Sequence, residues 1–158
     1  MGKKDKKEIE ELVGICGIYC GTCPRYVAPR DQDIAYLEKS SSESGLPIEK
    51  IRCDGCLSDN VYPSCRDCRH GFRRCAEEHK VTWCFQCPDF PCDHVDNFPM
   101  PVGKAVILRS VPFRREHGDE LWMADEEKRA HCPHCGAQTF RGARRCAQCK
   151  EPLVDEGG

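Results

Sequence analysis

Fifteen of the 158 residues are cysteine, and most of them stand in C-x2-C pairs. Such a pair places two thiols on one tight turn, the spacing used for soft metal ions. The apolar inventory makes this decisive. Leu, Ile, Val and Phe together number 29, about 18% of the chain. Below about 20% a chain is ordinarily disordered unless something other than apolar burial holds it. Cross-links must therefore supply what the core lacks.

The context selects metal over disulfide. The opening MGKKDKKEIEELV has neither the apolar run nor the cleavage site of a signal peptide. Lys6 occupies the position where a myristoylation signal wants Ser or Thr. No stretch approaches the ~18 apolar residues of a membrane span. A cytoplasmic address follows as the expectation, and thiols stay reduced there. The odd cysteine count also argues against complete pairing.

The clearest site is Cys132-Pro-His-Cys135-Gly followed by Cys146-Ala-Gln-Cys149. Four thiolates on two knuckles close a tetrahedral shell, which suits Zn²⁺ in a structural role and resembles a zinc ribbon. An iron-loaded version is the alternative. His131 and His134 are expected to be solvated neighbours of a shell already complete.

The other candidate ligands are Cys16, Cys20, Cys23, Cys53, Cys56, Cys65, Cys68, Cys75, Cys84, Cys87 and Cys92, with His94 beside the last. Adjacency groups Cys53, Cys56, Cys65 and Cys68 in one site and Cys75, Cys84, Cys87 and Cys92 in another. Cys16, Cys20 and Cys23 are then one ligand short, with His79 or His94 as candidates to complete the site. An echo between CGTCPRY (20–26) and CFQCPDF (84–90) instead favours Cys20 and Cys23 sharing a site with Cys84 and Cys87. The bland readings are a core thiol at Cys75 and a core histidine at His79. Short pairs suit zinc and iron alike, while C-x3-C-x2-C-P with three thiolates suits a [4Fe-4S] cluster better.

The stretch CGIYCGTCP also matches the spacing with which radical S-adenosylmethionine enzymes hold their cluster. That chemistry needs a partial (β/α) barrel of roughly 200 residues, by analogy with a full one. No alternating strand–helix pattern follows residue 23, and Thr22 stands where those enzymes carry an aromatic. The radical reading is set aside.

Along the chain, helices are expected over 4–13, 33–42 and 71–80. A loop is expected at SSSESGLP, and a Pro-rich break at NFPMPVG. Two further helices over 103–130 are expected to be split at Pro112. The expected fold is a small metal-stabilised Cys-rich protein of short helices and knuckle loops with little sheet. Its expected parts are a multi-metal domain (1–98), a helical linker (99–130), and a ribbon with an acidic tail (131–158). Net charge is −2, so no global field draws nucleic acid or membrane, and the Arg clusters read as solvated faces or as offsets to thiolate charge.

CGIYCGTCPRY, RCDGC and SCRDCRHGFRRCAEEHKVTWCFQCPDFPC resemble a Cys-rich prokaryotic family catalogued as domain of unknown function 3795. The later HGDELWMADEE and HCPHCG resemble members with an added C-terminal zinc ribbon. The resemblance implies that the cysteines are the site and names no reaction. The expected function is a non-catalytic metal-binding adaptor or accessory subunit that docks a partner protein. The second reading is an iron–sulfur electron-transfer protein or subunit of an anaerobic enzyme complex. A nucleic-acid-binding ribbon ranks third.

Overall fold

A computed structural model describes residues 5–154. Among them there is no sheet, only three isolated antiparallel bridges between short helices and turns. The helices are α1 (Lys6–Leu12), α2 (Pro24–Arg30), α3 (Ile34–Ser44), α4 (Ile48–Ile51), α5 (Pro63–Arg66), α6 (Phe72–Glu78), α7 (Asp93–Asp96) and α8 (Pro101–Arg129). Two 3₁₀ turns, Cys20–Thr22 and Cys84–Gln86, form on the two echoing segments, so the likeness in sequence is a likeness in shape. Each closes on its own knuckle: Cys23 N–H bonds the Cys20 carbonyl at 2.9 Å and Cys87 N–H the Cys84 carbonyl at 3.1 Å.

Helix α1 starts on a capping box in which Asp5 and Glu8 bond each other's backbone amides. Lys4, the expected first residue, lies outside the described residues. The serine run is not a loop: α3 continues through Ser44 and stops at Gly45, whose φ is 69°. Asp33 caps its start, and Ser44 Oγ donates to the Ser40 carbonyl at 2.7 Å, so the hydroxyls find partners within the last turn and do not break it.

The 101–129 stretch is helical, but its break falls at Gly118 and not at Pro112. Pro112 sits inside the helix without interrupting it. Gly118 takes φ 78°, ψ 177°, a region open essentially to glycine alone. The chain folds back there. Arg109 Nη1 lies 2.6 Å from Glu126 Oε1, whereas 17 residues of straight helix would separate them by ~25 Å. The two arms, 101–117 and 119–129, are thus a helical hairpin. Gly118→Ala should cost about 1–3 kcal/mol from backbone strain alone, because a Cβ there meets nothing within 4 Å. Denaturant unfolding checks this, and an unchanged midpoint would refute it.

The hairpin is an organising element of the core. Ile107 and Val111 pack with Ile15, Phe72, Ala76, Phe90, Val95 and Phe98. On the other arm Trp122 and Met123 pack with Leu12, Val13 and Tyr19. A third cluster, Ala28, Leu37, Ile51, Cys53 and Tyr62, is built without it. Three small cores replace one large one, and the thiols line their edges. Cys16, Cys56, Cys68, Cys84 and Cys92 pack on the first, Cys20 on the second, and Cys53 belongs to the third.

Candidate metal centre

The C-terminal quartet is brought together as a group that could hold a metal ion. The four ligand atoms of Cys132, Cys135, Cys146 and Cys149 lie within 4.8 Å of one another. Cys132 Sγ is 3.6 Å from Cys149 Sγ, and Cys135 Sγ is 3.6 Å from Cys146 Sγ. A disulfide would bring them to ~2.05 Å. A tetrahedron of thiolates ~2.3 Å from one ion has edges of about 3.8 Å, close to what is seen.

Each knuckle is built the same way. Cys132 N–H bonds the Ala137 carbonyl and Cys146 N–H the Glu151 carbonyl, at 2.8 and 3.0 Å. The residue after each second cysteine, Gly136 or Lys150, has positive φ. Backbone N–H groups of Cys149 and Gln148 stabilise the Cys146 thiolate and lower its pKa to about 6. Cys132 and Cys146 are buried while Cys135 is exposed and Cys149 half-buried, so the quartet sits at the surface with two of its thiols turned inward. His131 Nδ1 is 2.7 Å from the Glu127 carbonyl oxygen and is exposed, outside the quartet.

Among the described residues, no three of the eleven other cysteines bring their sulfurs within 4.8 Å of one another; they lie in two looser neighbourhoods, of seven thiols and of four. Burial pushes Cys16 up to about 12, with Cys56 and Cys68 adding to the rise. Burial also raises Cys20 well above the ordinary thiol range, with Cys56, Cys23 and Cys16 as the neighbouring thiols, and Cys56 N–H bonds its sulfur. Cys65 rises to about 11 through burial and then Cys23, Cys53 and Cys56. The thiols surrounding Cys16, Cys20 and Cys23 therefore come from 53–68. Cys16 also faces Cys84, so the seven adjoin the four.

Cys75, Cys84, Cys87 and Cys92 line one cavity of about 20 Å³, with His79 and His94 in its wall. That is room for about one water-sized particle. His94 stands edge-on to Phe72 at 4.7 Å between ring centres. Burial raises Cys84 to about 12, next to Cys16, Cys75, Cys92 and Cys87. Of the eleven, Cys53 and Cys87 are the buried ones, and burial favours the neutral thiol, which packs as a small apolar group.

Three arginines from three separate basic clusters clamp the knuckles. Arg73 donates to the carbonyls of Cys65 and Cys56 and lies 3.6 Å from Cys56 Sγ. Arg115 donates to Phe85, Cys84 and Cys87 carbonyls. Arg141, from the ribbon, reaches the Tyr19 carbonyl at 3.4 Å. These side chains are not merely solvated. They hold knuckle backbones and place positive charge beside Cys56 and Cys16.

A family model described as "Protein of unknown function (DUF3795)" matches residues 12–97, more than half of the chain. The chain belongs to the DUF3795 family. No curated protein and no solved structure matches it. The DUF3795 segment contains all eleven N-terminal cysteines, and the ribbon lies outside it. Among the described residues, no helix is long and apolar enough to cross a membrane.

Proposed function

We propose that this DUF3795 protein is a metal-stapled accessory protein: zinc closes the ribbon, metal in the N-terminal thiols holds the three small cores together, and the assembled surface docks a partner protein. The observation that carries the metal part is the ribbon quartet, whose sulfur separations match the edges of a thiolate tetrahedron. A shell closed by four thiolates leaves no position for substrate, so its contribution is structural.

Metal and sulfide analysis of protein purified without oxygen tests the reading. Zinc retained in the ribbon is expected, and Cys146→Ser should lose one equivalent while the N-terminal sites keep theirs. Protein free of metal in both halves would overturn it.

A second reading is an iron–sulfur protein. Cys16, Cys20 and Cys23 with the 53–68 thiols form a broad group of seven, and a cuboidal cluster spreads its ligands around four irons and not one ion. Acid-labile sulfide with a broad brown absorbance favours it; colourless protein with stoichiometric zinc rejects it.

A further inference from the structure

His79 is tied to its surroundings in the manner of a metal ligand. It caps the end of α6, where Lys80 turns into positive φ and Val81 N–H bonds back to the Ala76 carbonyl at 3.0 Å. Its Nδ1 lies 3.0 Å from the carbonyl oxygen of Cys75, one helical turn earlier. Nδ1–H donates to that carbonyl, so Nε2, which pairs with Asp89, is the nitrogen that would turn its lone pair to a cation in place of a proton. Metal-bound histidines are held in this way, with the far ring nitrogen donating to a carbonyl or carboxylate.

Nε2 faces Asp89, with 3.2 Å to Oδ2. Ligand atoms of His79, Cys87 and Asp89 lie within 4.8 Å of one another. Nitrogen and oxygen ligands ~2.0–2.1 Å from a tetrahedral ion stand about 3.4 Å apart, close to the separation seen. The position of Cys87 is fixed independently, by its own 3₁₀ turn and by Arg115 donating to its carbonyl.

We propose that His79, Cys87 and Asp89 form a three-ligand site for a divalent cation of the zinc class, on the rim of the thiol cavity, with its fourth position open. One soft, one borderline and one hard donor suit Zn²⁺. Three protein ligands with an open position are the arrangement of zinc sites that exchange water or accept a further ligand, unlike the closed ribbon. Exposure agrees: the side chains of His79 and Asp89 are 38% and 65% exposed, while Cys87 is buried. Cys87 also lines the thiol cavity, and its sulfur has lone pairs enough to serve an ion on each side. The rim ion is therefore the exchangeable one, within reach of solvent or of a donor atom on a partner. This rests on the reading of the thiols as metal sites only in sharing Cys87.

The test adds Co²⁺ to full-length protein purified without oxygen and reads its visible bands. One added equivalent is expected to give four-coordinate bands with sulfur-to-cobalt charge transfer, and azide should shift them by entering the open position. His79→Ala and Asp89→Asn should each weaken that uptake by at least ~10–100-fold, the cost of losing even an outer-shell partner. Both variants should keep their as-purified metal and circular dichroism. Uptake and bands identical in wild type, His79→Ala and Asp89→Asn would overturn the site. Bands unmoved by azide would overturn the open position. Absence of any metal as purified, ribbon included, would instead sink the reading of the protein as metal-stapled.

Discussion

Replacing Cys53 by Ser is expected to unfold the N-terminal half of the protein. Cys53 is 8% exposed and belongs to the cluster of Ala28, Leu37, Ile51 and Tyr62. Its N–H bonds the Arg25 carbonyl at 3.1 Å, which ties the 53–68 thiols to the Cys20–Cys23 knuckle. None of the three small cores exceeds eight fully buried residues, too few to offset the entropy of ordering the chain around them. Metal binding at structural thiolate sites supplies about 10–16 kcal/mol as folding energy. Whole domains of this size are stable by only about 5–15 kcal/mol. Serine keeps the volume of Cys53 but not the soft thiolate, so the variant should lose N-terminal metal and its melting transition together. A strong chelator should do the same to wild type, with the added metal restoring the signal. If Cys53→Ser keeps its metal content and melting temperature, metals do not hold this fold together.

How far the chain could be read in advance depended on whether a feature is local. The ribbon was fully legible, because both knuckles close within five residues of their own cysteines and need nothing from elsewhere. The echo between the Cys20 and Cys84 segments was legible for the same reason, though the 3₁₀ turns that both form were not read from it. Assigning the break to Pro112 weighed proline's lost hydrogen bond above a glycine's freedom to turn. The reversal at Gly118 is set by distant partners, chiefly Arg109 with Glu126 and Ser110 with Trp122. The division of eleven thiols into seven and four is equally non-local, since Cys20 meets Cys56 only once α1 and the 53–58 loop have packed. His79 read as a core histidine or as a fourth ligand for Cys16, Cys20 and Cys23, and not as a partner of Asp89, because that residue, ten positions away, has no spacing signature. A Cys–His pair at i, i+4 on one helix, Cys75 and His79, was the available hint, since that spacing places the Cys75 carbonyl under Nδ1. The Arg clusters read as solvated faces or as offsets to thiolate charge, and the carbonyls they reach were not legible because composition shows charge without showing its partners.

The hairpin and the opening thiols are joined at several points, and Trp122, the largest side chain among them, gives the second large effect. Trp122 is 0% exposed. Its Nε1–H donates to Ser110 Oγ at 2.6 Å, and that hydroxyl donates in turn to the Gly17 carbonyl at 2.6 Å. Its ring meets Tyr19 edge-on at 5.4 Å between centres. Gly17 has φ 93°, and a Cβ there would lie 2.6 Å from Val111 Cγ2, so the close approach of hairpin and thiol loop depends on glycine. Trp122→Ala should cost about 3–5 kcal/mol through the cavity left behind. Loss of the indole N–H alone, in Trp122→Phe, should cost about 1–3 kcal/mol. The larger loss should also speed removal of metal from Cys16, Cys20 and Cys23 by chelator, because Gly17 and Tyr19 lie between those thiols. Ribbon metal should leave at the wild-type rate. Equal stability of the Ala and Phe variants would show that the buried ring contributes nothing, and unchanged chelation kinetics in Trp122→Ala would uncouple the hairpin from the thiols it packs on.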